Sequence, residues 1–138
     1  MSHPQQIPDP AYAIQALQHA LETGSRWAEV GSNPKTGVSC YGLVRWTFYL
    51  AGVVLPESPH EADAYFVAVE PPYAAWDMVC ANFSGVIYGT RHVGLLVAPT
   101  WGYHCSQATN GIAHFDLLTA PWRRIVRHGW RLKAYVCA

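Results

Sequence analysis

The spacing of apolar residues near the start of the chain predicts an amphipathic helix. Ile14, Leu17 and Leu21 recur at helical spacing, with small alanines between them. Asp9 and Pro10 come just before this pattern, and these residue types suit the N-cap and the first position of a helix. We expect the helix to stop at the next glycine in the sequence, because glycine commonly terminates helices.

A stretch of turn-forming residues and then a strongly apolar segment follow. Residues 31–37 read GSNPKTG, and this composition predicts a loop. From Cys40 onwards, apolar side chains cover nearly every side of a helix that ends at Gly52. A helix that is apolar all round is typical of a buried position. The sequence therefore predicts a buried helix whose N-terminus directly follows a loop.

The second half of the chain favours strands. One short helix comes first, because Ser58 and Pro59 suit a cap and a first helical position, and we expect it to run to about Phe66. Beyond it, five short segments are rich in aromatic and branched residues, at 78–81, 93–97, 101–106, 112–115 and 130–136. Helices followed by strands predict an α+β fold with helices packed on a five-stranded antiparallel sheet.

Length and composition limit the class of protein. The chain has 138 residues, which predicts one domain over 1–138 with a core from about residue 10. Hydrophobic residues make up 51% and charged residues 13%, a balance that excludes intrinsic disorder. We find neither an apolar run long enough to span a membrane nor a secretory signal, so the expected location is cytoplasmic by default.

Charge gives little support for a nucleic-acid partner. Nine Lys and Arg residues balance nine Asp and Glu residues. A basic cluster lies near the C-terminus, but it alternates with Trp130 and Leu132, which is typical of the solvated face of a strand; its members are Arg123, Arg124, Arg127, His128, Arg131 and Lys133. Binding of carboxylate groups or an anionic polymer is a further possibility for this cluster. Asp77 is expected to accept backbone N–H bonds at a turn.

One of the four cysteines is a candidate nucleophile. Cys40, Cys80, Cys105 and Cys137 form no C-x-x-C pair, so neither a zinc site nor a redox pair is predicted. Cys40 lies where a glycine-rich loop meets a helix N-terminus, and the unpaired N–H groups there favour both a thiolate and a developing oxyanion. The alternative is a structural cysteine that fills the start of the helix. The other three are expected to be core or idle thiols.

Two of the seven histidines are candidate partners for such a thiol. His92 precedes one predicted strand and His104 lies inside the next, and a tight turn at 98–100 makes the two strands a hairpin. Both imidazoles then face one side of the sheet, beside the small Gly94 and Gly102, which leave space for a helix terminus or a substrate. The alternative is that each histidine is an ordinary, hydrogen-bonded core residue.

Four linked motifs resemble those of the NlpC/P60 family of cell-wall cysteine peptidases. Residues 31–45 read GSNPKTGVSCYGLVR and 51–56 read AGVVLP, which resembles the family's catalytic loop and helix. WDMV at 76–79 and RHVGLLV at 91–97 resemble the starts of two of its strands, and YHCS at 103–106 resembles the strand that carries the third catalytic residue. The resemblance covers about residues 24 to 118.

This resemblance implies a papain-like fold with the nucleophile at a helix N-terminus. It implies Cys40 as the nucleophile, His92 as the general base and acid, and His104 as the residue that orients His92, without a metal or another cofactor. The implied reaction is hydrolysis of amide bonds in peptidoglycan stem peptides through a thioester, with the oxyanion near the N–H of Cys40. Peptidoglycan peptide fragments are the implied partner, and oligomeric state is left open.

Three positions depart from the family pattern. The Asp that usually precedes the nucleophile is Ser39, the Ser that often follows it is Tyr41, and Trp27 stands where many relatives have a Tyr. These three are the candidate oxyanion or substrate contacts. With these departures the sequence also resembles the shorter phage-tail members of the family. That resemblance implies that a route other than a signal peptide, such as a phage tail, delivers the protein to the periplasm or cell wall. Alternatives are a non-catalytic tail or envelope component and an acyltransferase.

Overall fold

The computed structural model describes residues 7–81, 92–120, 122–126, 128–133 and 136–137. Within these residues the helices are α1 (Pro10–Thr23), α2 (Cys40–Leu50), α3 (Pro59–Ala62) and α4 (Trp122–Ile125), and a 3-10 turn (Asp63–Tyr65) follows α3. The described strands are β1 (Ser32–Asn33), β2 (Gly37–Val38), β3 (Val53–Val54), β4 (Phe66–Val69), β5 (Met78–Cys80), β6 (Val93–Leu96), β7 (Trp101–Ser106), β8 (Gly111–Asp116), β9 (His128–Leu132) and β10 (Val136–Cys137). None of the helices in these ranges is long and apolar enough to cross a membrane.

The predicted first helix is confirmed at both ends. The Asp9 side chain accepts a hydrogen bond from the backbone N–H of Tyr12 at 3.3 Å, and Pro10 is the first helical residue. Gly24 ends α1 with φ of 102°, a conformation that glycine adopts without a steric penalty. The buried side of α1, which includes Leu17, packs beside α2.

A six-stranded antiparallel sheet forms the centre of the fold, in the order β4-β9-β5-β6-β7-β8. The predicted hairpin of β6 and β7 is confirmed, with Gly94 opposite His104 and Leu96 opposite Gly102. Two small pairs, β1 with β2 and β3 with β10, lie outside this sheet. The α+β class and the antiparallel pairing follow the sequence prediction.

The two faces of the sheet carry different hydrophobic clusters. On the α2 side, α2 buries its apolar residues against alternate positions of the strands, including Val44, Phe48, Met78, Leu95 and Trp130. On the α4 side, a smaller cluster contains Val79, Leu96, Phe115 and Trp122. Successive residues of β6 therefore pack against opposite layers, as the pleat of a strand requires.

Several boundaries differ from the sequence prediction. The main sheet has six strands instead of five, because β4, which the sequence did not predict, pairs with β9. The short helix predicted to run to about Phe66 ends at Ala62 and is followed by the 3-10 turn, and Phe66 is the first residue of β4. The loop at 31–37 contains the short β1–β2 hairpin. The last predicted strand, 130–136, divides into β9 and β10, and residues 134 and 135 lie outside the described residues. The prediction that α2 is buried on all sides is also wrong, since Tyr49 of this helix is 59% exposed.

Candidate active site

The segment before α2 is held in place by hydrogen bonds from one serine. Ser39 is the N-cap of α2, and its Oγ accepts the N–H of Gly42 at 2.8 Å. Its own N–H donates to the carbonyl of Gly31 at 3.1 Å. A Cβ at Gly42 would collide with that same carbonyl oxygen. The loop and the first turn of α2 are thus packed directly on each other, which fixes the position of the residue between them.

That residue is Cys40, the first residue of α2. Its side chain is half-buried and packs against the α2-side cluster, which includes Cys80 at the end of β5 and Val93 at the start of β6. The N–H groups of Cys40 and Tyr41 are among the first of the helix and have no acceptor within it. Cys40 is therefore a half-buried thiol at a helix N-terminus on the α2 side of the sheet.

The structure brings the two predicted histidines together. His92 directly precedes β6, and its Nε2 lies 3.0 Å from Nδ1 of His104 in β7. In the neutral pair one of these atoms donates and the other accepts. When Nε2 of His92 carries the proton, its Nδ1 has a free lone pair and can act as a base. This is the tautomer that an orienting partner selects for a catalytic histidine.

Burial keeps both imidazoles neutral at pH 7. Desolvation lowers the pKa of His92 below its ordinary value of 6.5. Desolvation, together with the charge of His92 when that ring is protonated, lowers the pKa of His104 to about 4. A neutral His104 accepts a hydrogen bond through Nδ1 in the tautomer that carries its proton on Nε2.

An aromatic group surrounds the imidazole pair. The ring centroid of Trp122 lies 5.5 Å from that of His92 and 5.0 Å from that of His104. Phe115 stacks on Trp122, with 4.1 Å between their ring centroids, and its ring centroid lies 5.9 Å from that of His104. The space expected beside Gly94 is not open for a helix terminus or a substrate, because a Cβ there would lie 2.6 Å from Cε1 of Phe115. The pair is thus enclosed by aromatic rings on the α4 side of the sheet.

The three positions that depart from the family pattern make structural contacts. The hydroxyl of Tyr41 donates to the carbonyl of Pro56 at 2.6 Å, and burial raises its pKa. Trp27 forms a parallel bridge with Val38 and packs against the core cluster of α1 and β7. Ser39 caps α2. Their roles toward an oxyanion or a substrate stay predictions.

The sequence did not reveal the contribution of Cys105. Cys80 and Cys105 are fully buried, as predicted, whereas the side chain of Cys137 lies outside the described residues. The thiol of Cys105 donates to the carbonyl of Val38 at 3.2 Å. Burial and the nearby Cys40 raise the pKa of Cys105 to about 11, so it stays protonated and keeps this hydrogen bond. No pattern in the sequence links two residues so far apart.

Part of the basic cluster has a structural partner. Arg131 donates to both carboxylate oxygens of Asp77 at 2.8 Å, and Asp77 is 1% exposed. Asp77 also accepts the N–H of Ala74 at 2.8 Å, which confirms the predicted turn contact. Arg123 and Arg124 are exposed on α4, and Arg127 lies outside the described residues.

Comparison with known proteins gives one related sequence and several related structures. A curated protein of Bacillus subtilis strain 168, the bifunctional muramidase/DL-endopeptidase CwlT, is 36% identical over 111 residues. This match covers 78% of the chain and 32% of CwlT, so the chain spans about a third of that protein's length. A scan against models of known families finds no match.

The structural comparison gives the fold. An NlpC/P60 family protein from Bacillus cereus ATCC 10987 superimposes with a TM-score of 0.69 at 17% identity, over 94% of the chain and 42% of that protein. RipD from Mycobacterium tuberculosis, described as a non-catalytic NlpC/p60 domain protein adapted to peptidoglycan binding, gives 0.60 at 18% identity, over 92% of the chain and 97% of RipD. The fold agrees with the related sequence and with the motifs around Cys40, His92 and His104, and the chain belongs to the NlpC/P60 family.

Proposed function

We propose that this chain is a cysteine peptidase that hydrolyses an amide bond in the stem peptides of peptidoglycan. The observation that carries the proposal is the 3.0 Å contact between Nε2 of His92 and Nδ1 of His104. A second imidazole in this position orients the first and leaves its Nδ1 available as a base. The DL-endopeptidase part of CwlT's description supports the substrate class.

The first step is activation of the thiol. Nδ1 of His92 takes the proton of Cys40, which yields a thiolate and an imidazolium. The thiolate is favoured at the start of α2 by the helix dipole and by N–H groups that have no acceptor within the helix. The imidazolium keeps its Nε2 hydrogen bond to the neutral His104. This step requires the Cys40 sulfur to approach His92 at the end of the sheet where β6 begins.

The second step is acyl transfer. The thiolate attacks the amide carbonyl, and the oxyanion lies against the N–H of Cys40. The imidazolium of His92 gives its proton to the leaving amine, and a thioester remains on Cys40. Water activated by His92 then hydrolyses the thioester, releases the acid and restores the thiol. No metal or other cofactor takes part in this scheme.

Muropeptide cleavage tests the proposed nucleophile. Incubation with defined muropeptides, followed by mass measurement of the products, should show cleavage by the wild type and a loss of more than about a thousandfold in Cys40→Ala. His92→Gln should be equally inactive, and His104→Ala should retain more activity because it removes only the orienting contact. Cys80→Ala is the matched thiol control and should cleave at the wild-type rate. Equal cleavage by folded Cys40→Ala would exclude the mechanism.

A non-catalytic binding domain is the second candidate function. It is favoured by the packing of Cys40 against the α2-side core while the imidazole pair contacts Trp122 of α4. RipD is a relative of the same fold described as non-catalytic. In this case the wild type should bind purified peptidoglycan without cleaving it, and iodoacetamide should not modify Cys40 at pH 6. Transfer of the acyl group to an amine or a lipid instead of water would identify the acyltransferase alternative.

A further inference from the structure

Trp122 contacts both members of the imidazole pair. Its indole lies within 5.5 Å of each imidazole, measured between ring centroids. The side chain is 7% exposed, so it separates the pair from solvent on the α4 side. A single aromatic ring therefore adjoins both ends of the His92–His104 hydrogen bond.

The position of Trp122 is itself fixed by packing. Phe115 stacks on it with an angle of 27° between the ring planes, and Phe115 in turn occupies the space next to Gly94. Any side chain at position 94 would displace Phe115, because even a Cβ there would lie 2.6 Å from the Phe115 ring. We call Phe115 and Trp122 the aromatic cap. The missing side chain at Gly94 is what allows the cap to lie against His104.

The cap has two physical effects on the pair. Apolar rings exclude water, and a buried hydrogen bond is stronger in a medium of low dielectric constant. The same burial penalises a positive charge on His92, which the thiol-activation step creates. An aromatic face within about 6 Å of a cation offsets part of this penalty through its quadrupole. An aliphatic side chain of similar size excludes water but does not stabilise the cation.

We propose that Trp122 is a positioning residue that shields the His92–His104 hydrogen bond and stabilises the imidazolium formed when His92 takes the Cys40 proton. In this transfer the S–H bond of Cys40 breaks, the proton binds Nδ1 of His92, and the sulfur keeps the electron pair as a thiolate. The Nε2 proton of His92 stays in its hydrogen bond to His104. This inference rests on the proposed function for the reaction it assists, whereas shielding of the hydrogen bond is testable without substrate.

Three substitutions at position 122 separate the two effects. Trp122→Phe keeps an aromatic face, Trp122→Leu keeps only apolar cover, and Trp122→Ala removes both. We expect iodoacetamide modification of Cys40 at pH 6 to stay within threefold of the wild type in Trp122→Phe and to slow about tenfold in Trp122→Leu. Trp101→Leu is the matched control, because Trp101 is a partly exposed tryptophan whose ring makes tilted or edge-on contacts with Tyr103 and His114.

Nuclear magnetic resonance measures the shielding directly. The Nε2 proton of His92 should exchange slowly with water in the wild type and in Trp122→Leu, and fast in Trp122→Ala. If Trp122→Leu does not fold, fluorinated tryptophans incorporated at position 122 keep the ring size and weaken its quadrupole, and the modification rate should then fall with each added fluorine.

The outcomes distinguish this inference from the proposed function. Wild-type rates in Trp122→Leu, or equal loss in Trp122→Phe and Trp122→Leu, would overturn the electrostatic role while the peptidase function stands. Slow exchange of the His92 Nε2 proton in Trp122→Ala would overturn the proposal that Trp122 shields the hydrogen bond. If the wild type neither cleaves muropeptides nor reacts at Cys40, the peptidase function fails, and the exchange measurement still decides whether Trp122 shields the histidine pair.

Discussion

At the residue scale, Gly42 shows how a missing side chain sets the position of the proposed nucleophile, Cys40. Glycine inside a helix is less favourable than alanine by about 1 kcal/mol, so propensity alone predicts that Gly42→Ala stabilises the protein. The steric argument predicts the opposite sign, because the new Cβ would collide with the Gly31 carbonyl oxygen. We expect a loss of about 1–3 kcal/mol in unfolding free energy, measured by urea denaturation, together with slower modification of Cys40.

Tyr49→Ala supplies the control for that experiment, because Tyr49 lies on the same helix and is exposed. Its unfolding free energy should change by no more than about 0.5 kcal/mol. A Gly42→Ala protein that is more stable than the wild type would show that the loop moves away from α2 at little cost. The sign of the change therefore decides between helix propensity and loop packing.

At the element scale, the sequence predicted the features that depend on neighbouring residues and missed those that depend on residues far apart in the chain. The cap of α1, the start of α2 and the β6–β7 hairpin depend on neighbouring residues, and all three are confirmed. Strand β4 was missed because its pairing with β9 joins segments about sixty residues apart in the chain. The two histidines were found through spacing and family resemblance. Phe115 and Trp122 carried no such signal, because their role depends on packing across the sheet.

The ion pair of Asp77 and Arg131 connects two central strands and permits a prediction at this scale. Arg131→Met removes two hydrogen bonds and the positive charge from the buried Asp77 carboxylate and leaves the Ala74 N–H as its donor among the described residues. We expect a loss of about 2–4 kcal/mol in unfolding free energy, because an unpaired buried charge is costly. Asp77→Asn in the Arg131→Met background should recover part of the lost unfolding free energy, because it removes the unpaired charge. Arg124→Met, at an exposed position of α4, is the control, and an equal effect in both arginine variants would contradict the argument.

At the scale of the whole molecule, the partly buried imidazole pair couples folding to pH. The pKa of His104 is about 4 in the folded protein and near 6.5 in the unfolded chain, so between these values only the unfolded state binds the proton. Protonation then favours unfolding, and the stability present above pH 6.5 falls as the pH drops toward 4. His92, whose pKa is also lowered, acts in the same direction.

The contribution of His104 to this loss is at most about 3 kcal/mol, from the difference between the two pKa values. We expect thermal unfolding at pH 7.5, 6, 5 and 4 to show a smaller loss of stability in His104→Asn than in the wild type, because asparagine does not titrate. His114→Asn is the control for replacing a histidine with asparagine at an exposed position outside the pair. Parallel profiles for the wild type and His104→Asn would mean that His104 binds its proton equally well in both states, and the enclosure by Trp122 and Phe115 would then have no electrostatic consequence.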